Sequence, residues 1–349
     1  ERTTTMITID GTTGEGGGQV LRSSLALSLA TQKPFTITNI RKKRSRPGLL
    51  RQHLASTLAA EAISNADVTG ARMGSTELVF RPGRVTAGEH TFKVGTAGSC
   101  LLVLATVLLP LALAEGPSRL VLEGGTHNPA APPFPFVADA LLPALAKIGY
   151  AADATLVRPG FFPAGGGRVE VAIAGGARPS RVDLLETGKR IGERARAVVS
   201  ALPSNIALRE LETLASVAGL SKRADLRPEV VRDPVGPGNA LVVTLVYEHA
   251  THVVTGFGEK GAPAERIGGS VGALVAALAA ADVPVCEHLA DQLVLPLALG
   301  RGGTFRTVRP TPHFDAQRAV VRAFLGLDVE VSEEPRGSFV VEVPGRFGA

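Results

Sequence analysis

The chain has 349 residues, 45% of them apolar, with 40 glycines and 24 prolines, a composition that excludes a disordered or fibrous protein and leaves room for about two globular domains. A net charge of +5 permits an anionic partner without demanding one. The two cysteines, Cys100 and Cys286, each lie in an apolar run and read as reduced core thiols of a cytoplasmic protein, with a bond between them left open.

The chain begins Glu1-Arg2-Thr3-Thr4-Thr5, without the pattern of a signal peptide, and Met6 would serve as a natural start. A short strand, Met6 to Ile9, runs into Gly14-Glu15-Gly16-Gly17-Gly18-Gln19-Val20-Leu21-Arg22. Glycines let backbone N–H groups approach a ligand, and a helix N-terminus favours anions. A helix that has begun by Glu15 would put Glu15, Gln19 and Arg22 on one face and bury Leu21, Leu25 and Leu29 on another. The spacing matches neither the P-loop nor the dinucleotide fingerprint, so the glycines alone are equally a tight strand-to-helix turn.

Next come an alternating strand, Pro34 to Ile40, and the densest basic cluster of the chain, Arg41-Lys42-Lys43-Arg44-Ser45-Arg46-Pro47-Gly48. A charge run is ordinarily a solvated face, but this one stands between a strand end and a helix start, where phosphates are often held. The helix that follows carries Leu50, Leu54 and Leu58 at four-residue spacing, with Arg51, Gln52 and His53 beside them. Residues 67 to 93 read as short strands, with His90 in an exposed polar turn. Gly95-Thr96-Ala97-Gly98-Ser99 then repeats the opening pattern before Cys100 to Ala114. That apolar run contains Pro110 and is shorter than the roughly 18 residues of a membrane span, so it reads as a buried helix and no membrane partner is expected.

A strand from Arg119 to Glu123, the turn Gly124-Gly125-Thr126-His127-Asn128-Pro129 and a helix with Val137, Leu141, Leu142 and Leu145 complete a second copy of the first arrangement. A third copy returns near the end, as the helix Leu289 to Leu299, the strand Thr304 to Val308 and the helix His313 to Leu325. The fold expected is therefore α/β (α+β): three repeated β-α-β-α-β-β units forming a large domain over 1–182 and 283–349. A smaller α/β domain, 183–282, is inserted between the second and third repeats. Within it, Gly192 to Leu202 and Leu208 to Ala218 read as amphipathic helices and Ala240 to Tyr247 as a strand.

Of the seven histidines, His249 and His252 have metal-like spacing without a third ligand nearby. His313 follows Arg309-Pro310-Thr311-Pro312, and the prolines set it in the first turn of a helix whose Val320, Val321 and Phe324 face the core. That position disfavours imidazolium, and a neutral imidazole can attack phosphorus, with Arg306 and Arg309 upstream to neutralise phosphate charge. The same residue would equally serve as a cap or structural donor.

Six motifs occur together: Gly-Glu-Gly-Gly-Gly-Gln-Val-Leu-Arg at 14–22, Arg-Pro-Gly-Leu-Leu-Arg-Gln-His at 46–53, Gly-x-Ala-Gly-Ser at 95–99, Gly-Gly-Thr-x-Asn-Pro at 124–129, Gly-Phe-Phe-Pro-Ala-Gly-Gly-Gly at 160–167 and Leu-Ala-Asp-Gln-Leu-Val-Leu-Pro at 289–296. In these the chain resembles the RNA 3′-terminal phosphate cyclases over nearly its whole length, least over 183–282. The resemblance implies ATP-dependent conversion of an RNA 3′-phosphate to a 2′,3′-cyclic phosphate, with His313 as the nucleophile that becomes adenylated. It implies Glu15 as the carboxylate near Mg²⁺ or Mn²⁺, and Gln19, Arg22, Arg41, Arg44 and Gln52 around the triphosphate or RNA end. By the same resemblance Asp291 and Gln292 hold the nucleoside, and Pro132, Phe136 and His288 border the base. His288 stands where an aromatic residue is expected, and Ala105 replaces a polar side chain. Both departures bear on nucleotide preference and leave the nucleophile intact.

RNA with a 3′-phosphate end is the expected partner, held at Arg41 to Arg51 and near Arg306 in a salt-sensitive, weakly sequence-selective way, because the chain has no tryptophan and two tyrosines for base stacking. Two other classes remain beside the enzyme: a catalytically inactive cyclase-like RNA-binding or ribosome-assembly protein, and an enolpyruvyl transferase, which shares the repeat architecture alone. Oligomeric state is not legible in one chain.

Overall fold

In the computed structural model, which describes residues 5–347, strands and helices alternate from the start. The first residues, Glu1 to Thr4, on which the expected absence of a signal peptide partly rests, lie outside the described residues. β1 (Ile7–Asp10) and β2 (Phe35–Thr38) are parallel, a pairing that needs a crossover, and α1 (Gln19–Thr31) supplies it. α2 (Arg51–Ala62) leads to β3 (Asp67–Thr69) and β4 (Leu78–Arg81), giving a sheet of order β1-β2-β4-β3.

The chain then forms β5 (Glu89–Lys93), α3 (Leu101–Leu113) and β6 (Ser118–Gly124). A helical stretch follows, made of α4 (Phe134–Phe136), a π turn over Val137–Leu141 and α5 (Leu142–Ile148), before β7 (Ala152–Arg158) and β8 (Gly167–Ile173). This second sheet has order β5-β6-β8-β7. After β9 (Val182–Leu184) come β10 (Arg190–Ser200), α6 (Asn205–Ala218), β11 (Asp225–Val230), β12 (Gly238–Tyr247), β13 (Thr251–Phe257) and α7 (Ala264–Ala281). The chain ends with α8 (Glu287–Leu299), β14 (Gly303–Thr307), α9 (Pro312–Leu325), β15 (Glu330–Glu333) and β16 (Phe339–Val343).

The sheet formed by β9, β14, β16 and β15 has the same neighbour order as the first two. In all three, the first pair is parallel and the other two are antiparallel. One hydrophobic core runs through these sheets and the helices α1, α3, α8 and α9. Leu21, Leu25 and Leu29 are buried in it, as are Val320, Val321 and Phe324. A second core joins Ala195, Ala197 and Val199 of β10 to Leu211 and Leu214 of α6 and to Ile267, Val271 and Val275 of α7.

Several expectations change. Residues 192–202, read as a helix, belong largely to β10: Glu, Arg and Ala favour helix, but Ala195, Ala197 and Val199 recur every second residue and their burial wins. The expected join at 182/183 cuts through β9, which pairs parallel to β14, so the third sheet receives its first strand before the 190–281 stretch begins. In α2 the leucine stripe is not the buried face. Leu58 is 47% exposed, while His53, Ser56, Thr57, Ala59 and Ala60 are buried. His90 lies in β5, stacked against Phe92, rather than in an exposed turn. Among the described residues α7 alone has the length and apolarity of a membrane span, and it packs on α6 through Gly268 and Gly272.

Candidate active site

The glycine loop after β1 works by close approach. Gly14 and Gly16 have φ of +60° and +63°, where an L side chain is strained, and a Cβ at Gly14 would press on Pro312 and Ala316 of α9. A Cβ at Gly17 would meet the Glu15 carboxylate, and one at Gly18 the His53 ring. The absent side chains thus let the starts of α1, α2 and α9 converge. α1 begins at Gln19, later than expected, and no side chain caps its N-terminus, which leaves its first N–H groups for an anion. Glu15 is consequently not on the α1 face with Gln19 and Arg22 but in the loop before it.

Arg22 is buried, with Nη2 donating to Gln19 Oε1 at 2.9 Å and Nε without a partner. Burial lowers its pKa to about 10, against the opposing charge of Glu15, so at neutral pH it remains a cation held in the interior. Glu15 pairs with Arg44 through Oε2, and its Oε1 lies 3.1 Å from His313 Nδ1. The latter pair is close without the alignment of a formed hydrogen bond.

His313 follows Pro312 at the start of α9, where Thr311 is the cap: its Oγ1 accepts from His313 N at 3.0 Å and Phe314 N at 3.4 Å. Burial pushes the imidazole pKa down, as do Arg22, Arg44 and His288, while Glu15 opposes them. The ring is therefore neutral at pH 7 and able to act as a nucleophile. Thr311 Oγ1 donates to the Asp291 carboxylate, 2.9 Å from each oxygen. Asp291 is buried on α8, and burial raises its pKa to about 7, with Thr311 lowering it and Glu287, Glu15 and Asp315 raising it. His288 is exposed one turn before it, and Gln292 is half-buried.

The remaining expected residues fall into three groups. Arg41 and Gln52 stand near the loop with other engagements: Arg41 Nη1 bonds to Arg46 O and, at 3.1 Å, to Gly48 O, while Gln52 faces Gly98 of the second glycine loop. Phe136 is 3% exposed and joins the core at the start of α4, and Pro132 is half-buried just before that helix. Arg306 donates to Asp282 O at 2.6 Å and Arg309 lies over the Phe339 ring, so the cations that act on His313 are Arg22 and Arg44 instead. Cys100 and Cys286 are buried free thiols.

Residues assigned no site role from sequence also belong here. His53 is buried beside Gly18, its Nδ1 accepts from Leu50 N at 3.2 Å, and burial with Arg22 and Arg41 lowers its pKa to about 3. It is a neutral wall of the loop, named from sequence beside the α2 leucines and at the end of the motif at 46–53 without a role in the site. Thr311 is legible as a Thr-Pro helix start.

The buried Arg22 with an orphaned Nε, the uncapped α1 and the exposed Arg44 fit a triphosphate. For a metal, no group of three or more His, Cys, Asp or Glu side chains converges among the described residues. A divalent ion at Glu15 would therefore share one carboxylate with phosphate oxygens and water, the usual manner of Mg²⁺.

Comparison with known proteins identifies the family. Residues 13–331 match the family model described as RNA 3′-terminal phosphate cyclase. The RNA 3′-terminal phosphate cyclase of Koribacter versatilis is 47% identical over 329 residues, covering 94% of this chain and 92% of its own. That of Ralstonia nicotianae is 44% identical over 337 residues, 96% of each chain, and that of Pseudomonas fluorescens 45% over 320 residues, 90% of this chain and 92% of its own. A family match spanning residues 13–331, with relatives of 44–47% identity over nearly the whole chain, makes the chain a member of the RNA 3′-terminal phosphate cyclase family.

Proposed function

We propose that the protein uses ATP to convert an RNA 3′-terminal phosphate into a 2′,3′-cyclic phosphate through a covalent adenylate on His313. The observation that carries this reading is a neutral imidazole at the start of α9, within 3.1 Å of Glu15 and under the influence of Arg22 and Arg44. Glu15 on the Nδ1 side favours the tautomer that leaves the Nε2 lone pair free. Nε2 attacks the α-phosphorus, a P–N bond forms, and the bond to the β-phosphate breaks to release pyrophosphate. Arg22, Arg44 and the α1 N–H groups stabilise the charge that develops. An oxygen of the RNA 3′-phosphate then displaces His313, and the neighbouring 2′-OH closes the ring with loss of AMP.

Mg²⁺ or Mn²⁺ at Glu15 would withdraw charge from the phosphates. RNA would reach the site along exposed Lys42, Lys43, Arg46 and Arg51. The same reading takes the three like sheets as one catalytic domain and the β10–α7 stretch as the inserted one. No observation favours the non-catalytic alternative, since Glu15, Arg22 and His313 are present and converge.

The test is incubation with α-labelled ATP and Mg²⁺ or Mn²⁺ followed by a denaturing gel. Acid-labile label is expected on the wild type and none on His313→Ala. A folded wild type that takes no label with either metal would overturn the reading.

A further inference from the structure

Between α1, α8 and α9 runs an unbroken chain of buried polar bonds. Arg22 Nη2 donates to Gln19 Oε1 at 2.9 Å, and Gln19 Nε2 donates to Ser23 Oγ at 3.2 Å. Ser23 Oγ donates in turn to Gln317 Oε1 at 2.5 Å, and Gln317 Nε2 to the Asp291 backbone carbonyl at 3.1 Å. The Asp291 side chain accepts from Thr311, whose hydroxyl holds His313 N. Ser23 and Gln317 are each 2% exposed, so neither bond is to solvent. Both ends of the Gln317 amide are used, and the Ser23 hydroxyl donates once and accepts once.

A contact of this kind could be filled by leucine at little cost in stability, since apolar replacement of a buried polar group together with its partners is often neutral. What directed bonds add is register. They fix α1, which carries Arg22, against α9, which carries His313, and both against α8. In-line attack tolerates little misplacement, and about 1 Å can cost on the order of 10²-fold in rate.

We propose that Ser23 and Gln317 are positioning residues for the attack of His313, acting through Gln19 and Arg22 on one side and through α8 and the Thr311 cap on the other. The proposal rests on the adenylation reading above. Gln317→Met keeps length and apolar bulk but removes both bonds, Ser23→Ala removes the link, and Ser23→Thr retains the hydroxyl. Single-turnover label transfer from saturating α-labelled ATP, the ATP concentration for half-maximal rate and the melting temperature would be measured for each.

Gln317→Met and Ser23→Ala should each slow transfer by about tenfold or more, with half-saturation changed less than about threefold and melting within a few degrees of wild type. The double variant should be no slower than the slower single by more than about twofold, because both cut one chain. Ser23→Thr should stay within about threefold of wild type. Wild-type rates in Ser23→Ala and Gln317→Met, multiplying effects in the double variant, or a loss confined to half-saturation would overturn the proposal. Since Ser23→Ala removes a single atom, it keeps the test open if Gln317→Met does not fold. An unlabelled wild type would instead defeat the adenylation reading and this proposal with it, a result distinct from a labelled wild type with unaffected variants.

Discussion

The loops Gly14–Gly18 and Gly95–Ser99 use one backbone device and reach opposite ends. Each follows a strand, each contains glycine at positive φ, and each opens a 13-residue helix with no side-chain cap. In the second loop the turn is tied by backbone and amide groups of the turn after β6: Asn128 Nδ2 donates to Ala97 O at 2.6 Å, Gly125 N to Gly98 O at 2.9 Å and Cys100 N to Gly125 O at 3.0 Å. Its helix then presents Leu101, Leu102, Val103 and Leu104, all buried. In the first loop the corresponding space receives His53 from α2, Arg44 from the basic segment and His313 from α9, around a buried Arg22. A glycine turn before a helix is a scaffold, and what makes it a candidate anion site is the charge that distant segments bring to it.

That contrast can be broken most sharply at Arg22. Arg22→Met should lower single-turnover adenylation by about 10²–10³-fold while the protein stays folded, measured by label transfer and circular dichroism, because it removes a charged donor preorganised beside the reacting phosphate. Leu104→Ala, on the helix of the second loop, should do the reverse. It should cost about 2–5 kcal/mol in denaturant unfolding through the cavity it leaves, with label transfer per folded molecule unchanged.

The smallest effect is in pH. An ordinary histidine, with a pKa of about 6.5, is about three-quarters protonated at pH 6 and would lose about fourfold of a rate that needs the neutral ring. Burial and the cations Arg22 and Arg44 hold the His313 pKa below that value, so the neutral form persists to lower pH. The adenylation rate at saturating ATP should therefore fall by less than that fourfold between pH 7.5 and 6. Glu15→Gln removes the one opposing charge and should move the acid limb lower still.

Much of this was legible in the chain itself. The leucine spacing of α1, the apolar run of α3 and the Thr-Pro start of α9 each specify a local structure through periodicity or cap chemistry, and the structure has all three helices, α1 starting a turn later than expected. The linked motifs pointed to the family and to His313. Local reasoning failed where burial competes with propensity, as in β10, whose helix-favouring residues alternate onto a core face, and in α2, whose buried face is polar and small rather than leucine-rich.

Sequence by itself determined the glycine turns, the helices they open and the residue types able to meet phosphate, because these depend on neighbours within a few positions. Tertiary structure alone decided that Glu15 leaves its helix to stand by a histidine almost 300 residues away, that Arg306 and Arg309 turn elsewhere, and that Ser23 reaches Gln317. Those relations depend on how helices pack, and the energy of a buried bond or charge is set by a partner's position in space rather than by its place along the chain.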